Sequence, residues 1–176
     1  MKIKIFVSYN PNVEIEQSTA LRLQTLSSLY GAIVYLPDRL GSQKLKSSTR
    51  QNIDDANVFV MFSTENLSSV VREEVEYALS KNKRVVIFYD KQTAKNLNTS
   101  NIHNPNLYET RFDPQNDDTV NILQQVLKHG GFVPAGTPVE IAENKNKGIS
   151  ALVSVGLGLF LMWGISKLVS DDDDKS

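Results

Sequence analysis

Hydrophobic positions change period several times along the chain, and each change marks an element. Residues 3–8 (IKIFVS), 32–36 (AIVYL), 57–62 (NVFVMF), 84–89 (RVVIFY) and 107–112 (LYETRF) are short apolar runs rich in β-branched and aromatic residues, and they predict five strands. Between them the period lengthens. Residues 13–30 carry Ala20, Leu23, Leu26 and Tyr30 at helical spacing, and Gly31 is placed to stop that helix. A short helix is predicted over 47–55, after a loop at 37–46 broken by Pro37 and Gly41. A further helix over 69–81 has Val71, Val75, Ala78 and Leu79 on one side. A short helix is expected over 91–97, and a last one over 117–129 with Val120, Leu123, Val126 and Leu127 inward.

Strands apolar on both faces that alternate with helices imply a parallel sheet covered on both sides. The expected fold class is α/β: a flavodoxin-like, doubly wound, five-stranded parallel sheet over residues 1–130. In such folds ligands bind beyond the carboxyl ends of the strands, where the strand order reverses. The loops after Ser8, Leu36 and Phe62 are therefore where chemistry is expected. Neither GxGxxG nor GxxxxGK[ST] occurs there, which counts against a dinucleotide-binding Rossmann domain or a P-loop enzyme.

The pattern changes again after Gly130. Residues 131–147 contain Gly131, Pro134, Gly136 and Pro138 and then a charged stretch, which reads as a linker. Residues 148–166 (GISALVSVGLGLFLMWGIS) are 19 uncharged residues in a row. As a helix they span roughly 28 Å, the thickness of a bilayer's hydrocarbon core. Trp163 lies near one end, and Lys145, Lys147 and Lys167 flank the segment. A membrane-spanning helix is predicted over 148–167, followed by an acidic tail over 168–176. Asp171–Lys175 also matches an enterokinase cleavage sequence, so the tail reads equally as the remnant of an added tag. The opening residues are too briefly apolar for a signal peptide. The basic residues lean to the N-terminal side of the span, so a single-pass protein with its folded domain in the cytoplasm is expected. Ser150, Ser154 and Gly158 share one face of the span, a spacing that lets two such helices approach closely.

Composition narrows the chemistry. Nineteen Lys and Arg against twenty Asp and Glu give a net charge of -1, which argues against nucleic acid as a partner. There is no Cys, which removes disulfides, thiolate metal sites and cysteine nucleophiles. His103 and His129 are too far apart in sequence to suggest a metal centre, and none is expected.

The most informative stretch is Ser63–Leu79, which follows a buried strand and opens a helix. It holds Glu65, Glu73, Glu74 and Glu76. Glu74 lies beside the apolar face, one turn after Val70, whereas Glu73 and Glu76 are more easily solvated. Any of these glutamates can equally be a charge favoured near the positive end of the helix dipole.

Here the motifs resemble those of Toll/interleukin-1 receptor (TIR) domains of the bacterial type. Phe6-Val7-Ser8-Tyr9 is similar to the family's opening box. Gly31-x-x-Val34-Tyr35-x-Pro37-Asp38-Arg39-x-Gly41 resembles the second strand and the loop after it. Asn52-Ile53-x-x-Ala56-Asn57-Val58, running into Phe62-Ser63, resembles the next helix and strand. Ser68-Ser69-Val70-Val71-Arg72-Glu73-Glu74 is similar to the family's Ser-Pro-Trp-Cys-x-x-Glu segment, with Val70 in place of Trp and Val71 in place of Cys. The resemblance covers residues 1–130. It implies cleavage of the nicotinamide–ribose bond of NAD, as substrate rather than cofactor, by hydrolysis or cyclisation. Glu74 maps onto the catalytic glutamate, and Ser8, Tyr9 and Asp38 onto the substrate-binding cleft. It also implies self-association into a homo-oligomer and a setting in bacterial immune or anti-phage defence. Two alternatives stay open. One is a non-enzymatic TIR scaffold for signalling assembly. The other is a nucleoside 2-deoxyribosyltransferase-like enzyme, to which Asp54-Asp55-Ala56-Asn57-Val58, Glu73–Ala78 and Lys83-Arg84-Val85-Val86 are also similar.

Overall fold

A computed structural model of the chain describes residues 2–39, 44–65, 67–90 and 104–132. The predicted helix over 91–97, most of the linker, the span over 148–167 and the tail over 168–176 lie outside the described residues. Among the described residues no helix is long and apolar enough to cross a membrane. Residues Lys2–Phe132 cluster into a compact unit of their own.

In chain order the elements are β1 (Lys4–Ser8), α1 (Glu14–Leu29), β2 (Ile33–Tyr35), α2 (Ser47–Asp55), β3 (Val58–Ser63), α3 (Ser69–Ser80), β4 (Arg84–Asp90), β5 (Leu107–Phe112) and α4 (Thr119–His129). The five strands form one sheet in the order β2-β1-β3-β4-β5, and every neighbouring pair is parallel. The fold is therefore α/β with a five-stranded parallel sheet. Strand order reverses between β1 and β3: after β1 the chain goes outward to β2, then crosses back to β3 on the other side.

Alternation of side chains across each strand divides the core. Phe6, Phe59, Met61, Val85 and Ile87 pack with Ile53 of α2 and with Val71, Val75 and Ala78 of α3. The opposite face carries Phe62, Phe88 and Phe112, whose ring centroids lie 5.5–5.8 Å apart. Helices α1 and α4 pack together, as do α2 and α3. β3 is buried at all six positions, as the central strand of a sheet covered on both faces must be.

Two helix stripes differ from their sequence patterns. In α1 the buried positions are Glu16, Thr19, Ala20, Leu23 and Ser27, while Leu26 and Tyr30 are half-buried. The buried face is rotated toward polar residues because Glu16 has partners inside, described below. In α4 Ile122 rather than Val120 joins Leu123, Val126 and Leu127 in the core.

Gly31 ends α1 as expected. With φ at +74° it lets the Ala32 amide donate to the Ser27 carbonyl and its own amide donate to Ser28, each at 3.1 Å. This double return satisfies carbonyls that a helix end leaves open. Asn82, at φ 54°, does the same for α3, with the Lys83 amide donating to the Ala78 carbonyl at 3.0 Å.

Candidate functional site

The carboxyl ends of β1 and β3 leave the sheet where strand order reverses, and three chain segments converge there on Glu74. The first is the end of β1, at Ser8 and Tyr9. The second is the segment after β2, at Arg39. The third is α3, which carries Glu74 in its second turn. Ser68 starts that helix with its side chain accepting from the Val71 amide at 3.4 Å. Val71, Val75 and Ala78 then turn one face of α3 into the core, and Glu74 falls beside that face.

Glu74 is 1% exposed. The Ser8 hydroxyl donates to its Oε2 at 2.5 Å. Arg39 donates from Nη1 to Oε1 at 2.8 Å and from Nη2 to Oε2 at 3.1 Å, a fork-to-fork ion pair. Arg39 Nη2 also donates to the Tyr9 carbonyl at 2.9 Å, and its guanidinium carbon stands 5.8 Å from the centre of the Tyr9 ring. Burial pushes the Glu74 carboxyl above its ordinary range, and the nearby Arg39 charge and the hydrogen bonds from Ser8 and Arg39 work against that rise. Burial likewise raises the Tyr9 phenol, against the pull of Arg39. A buried carboxylate held by one cation and one hydroxyl at the edge of a parallel sheet is a group whose charge is stabilised by few, well-placed partners. Such a group can hold an adjacent positive centre or accept a proton.

The structure thus brings Glu74, Ser8 and Tyr9 together. Asp38 points elsewhere: its carboxylate accepts from Lys46 Nζ at 2.9 Å and from Ser48 Oγ at 3.4 Å, at the start of α2. Its neighbour Arg39 is the residue that reaches Glu74. Glu73 and Glu76 are exposed, and Glu73 accepts from the Leu45 amide at 3.2 Å. Both glutamates line an open groove of about 330 Å³ with Leu45, Arg50, Tyr77 and Ser80. Among the described residues no group of three or more His, Asp or Glu side chains forms a metal-holding cluster.

Two residues here escaped the sequence reading. Arg39 stood inside the Pro37-Asp38-Arg39 stretch without an assigned role. Glu16 counts as polar in the hydrophobic pattern, although its spacing to Thr19, Ala20 and Leu23 puts it on the buried face of α1. Glu16 is 1% exposed and accepts from the Asn10 amide at 2.7 Å, the Thr64 amide at 2.6 Å and the Thr64 hydroxyl at 3.0 Å. Burial raises its carboxyl above the usual range, and those hydrogen bonds, with one from the Glu65 backbone, oppose the rise.

No protein-family model matches the chain, and no curated protein does. Among solved structures it is similar to the lysine decarboxylase LdcF of Francisella novicida, at 14% identity and a TM-score of 0.45. The likeness takes in 92% of this chain and 23% of that one, so this chain spans under a quarter of its neighbour's length. At that identity and score it bears on neither activity nor substrate.

Proposed function

We propose that this chain is a TIR-like domain with a flavodoxin-like, doubly wound sheet, anchored by a helix over 148–167, that cleaves the nicotinamide–ribose bond of NAD at Glu74. The observation that carries this reading is the Glu74 carboxylate itself. It is buried at the carboxyl edge of the sheet, at the reversal of strand order, and is held by Ser8 and Arg39.

The chemistry asks little more of a protein. In NAD the nicotinamide nitrogen is already cationic, so the ring leaves as a neutral molecule, taking the electron pair of the C–N bond. Positive charge then develops at C1′ of the ribose, and a carboxylate beside it stabilises that charge. Water adds at C1′ and releases a proton, giving ADP-ribose; a ring nitrogen of the adenine adding instead gives a cyclic product. Ser8 holds one Glu74 oxygen in place. Tyr9 is buried beside it, its ring near the Arg39 guanidinium and its carbonyl accepting from Arg39. The anchor concentrates copies on one surface, where self-association would be favoured.

The test is NAD consumption by the full chain in liposomes, beside Glu74→Ala and Glu74→Gln. Loss of NAD with the unaltered chain, and with neither variant, is the expected outcome. NAD untouched at high surface density would overturn the reading.

A second reading has one observation in its favour. Both Glu74 oxygens are engaged within the chain, by Arg39 and Ser8. A carboxylate so occupied can serve as a clip between β1, the β2 exit and α3 in a non-enzymatic assembly module. In the same liposomes that module would assemble without consuming NAD.

A further inference from the structure

A second buried carboxylate stands at the same edge of the sheet, and the chemistry above leaves it unused. The ladder between β1 and β3 ends at the pair Ser8 and Met61. Beyond it β1 gives way to the turn at Asn10–Val13, while β3 continues beside β4 to Ser63. Glu16, from the first turn of α1, reaches into the gap this leaves in their pairing. One oxygen accepts from the Asn10 amide, and the other from the Thr64 amide and hydroxyl.

We propose that Glu16 is a positioning residue, whose carboxylate ties the β1 exit to the β3 exit and so holds Ser8 and Tyr9 in register against Glu74.

The placement is specific. Asn10 follows directly on Tyr9, whose carbonyl receives Arg39, and lies two residues beyond Ser8, whose hydroxyl holds Glu74. Thr64 follows directly on the last residue of β3, four residues before the cap of the helix that carries Glu74. One carboxylate therefore joins both segments that frame Glu74, just where strand pairing stops doing so. A first-turn glutamate serving only the helix dipole would stand in water, as its neighbour Glu14 does. Glu16 instead is buried, with donors from Asn10 and Thr64 on its two oxygens. Glutamine cannot replace it. An amide has one accepting oxygen, and its NH₂ would face an N–H donor on one side of the gap.

The experiment follows the Glu74 carboxyl carbon by NMR against pH in the full chain in detergent micelles, with the signal assigned through Glu74→Gln. It compares the unaltered chain with Glu16→Gln and with the near-isosteric Thr64→Val, which deletes a single donor. The Ser8 and Arg39 hydrogen bonds favour the charged form of Glu74. With Glu74 still buried, loosening them moves its titration upward, so an upward shift in Glu16→Gln, and a smaller one in Thr64→Val, is expected. Mere removal of a nearby negative charge would move it downward. A downward shift or no shift overturns the proposal. Where Glu16→Gln does not fold, Thr64→Val decides by the same criterion. The titration is independent of catalysis, so its outcome stands even where NAD is not cleaved.

Discussion

At the scale of single residues, the ion pair between Arg39 and Glu74 dominates the site. Arg39→Ala would leave Glu74 buried without its cation, a loss of about 3–5 kcal/mol near neutral pH for a fully broken buried pair. Urea unfolding should show that loss at neutral pH and a smaller one in acid, where Glu74 is protonated and needs no cation. Arg39→Lys should recover part of it, since a charge remains but the two-pronged geometry does not. Glu16 and Glu74 both have carboxyls raised by burial. Between the ordinary carboxylate range and their raised values, the unfolded chain has released protons that the folded chain still holds. Stability contributed by the pair is thus fully present below that window and lost as pH rises through it. Asp55, held down chiefly by its hydrogen bond from Lys4, works oppositely and at lower pH, gaining stability as pH rises. The urea midpoint should therefore fall across the upper window, and a chain carrying both Glu16→Gln and Glu74→Gln should show a flatter profile there.

At the scale of elements, the five strands and the four helices of the described residues were legible because their hydrophobic positions recur with a clear period. The run Val58 to Phe62 reads as a strand apolar on both faces, and α3 keeps Val71, Val75 and Ala78 at helical spacing. Hydrophobic pattern alone misplaced the buried face of α1, because Glu16 and Thr19 count as polar in any such pattern. Thr19 spends its hydroxyl on the Ile15 carbonyl within the helix, whereas the burial of Glu16 depends on donors at Asn10 and Thr64, a contact that arises only once β1 and β3 lie side by side. The site was legible in part for the same reason. Ser8 and Tyr9 sit at the end of β1, and Glu74 lies in the second turn of α3 beside its apolar stripe, positions that the periodicity delimits. Whether Asp38 or Arg39 turns inward depends on backbone geometry after β2, which no periodicity records. Gly31 offers a test of element ends: a methyl group there would meet nothing within 4 Å, so Gly31→Ala isolates the cost of its positive φ. That substitution should destabilise by about 1 kcal/mol, read from thermal or urea unfolding. By contrast, Phe62→Ala opens a hole among Phe88 and Phe112 and should cost about 3–5 kcal/mol.

At the scale of the whole molecule, the proposed anchor and the folded domain make separable demands. If residues 148–167 span a bilayer, the full chain should float with liposomes and resist extraction by alkaline carbonate. A chain ending at Phe132 keeps the compact unit Lys2–Phe132, and it should stay in the aqueous fraction while showing the same domain unfolding midpoint. A full chain released by carbonate would set the anchor aside, leaving the proposal for Glu74 to stand or fall on its own assay.

The strand order has a consequence in time as well as in space. Ser8 and Glu74 are 66 residues apart, and β1 borders both β2, made soon after it, and β3, made much later. At ordinary rates of synthesis, about 5–20 residues per second, Ser8 is translated roughly 3–13 s before the carboxylate it will hold. For the part of that interval between the synthesis of Tyr35 and that of Ser63, β1 and β2 have been made without their β3 neighbour, and the hydrogen-bonding groups of β1 on that side have no strand to pair with. A nascent chain is therefore without its glutamate site until α3 has left the ribosome. Slowing translation between Ile33 and Ser69 would lengthen the period in which a half-built sheet can pair with the wrong strand.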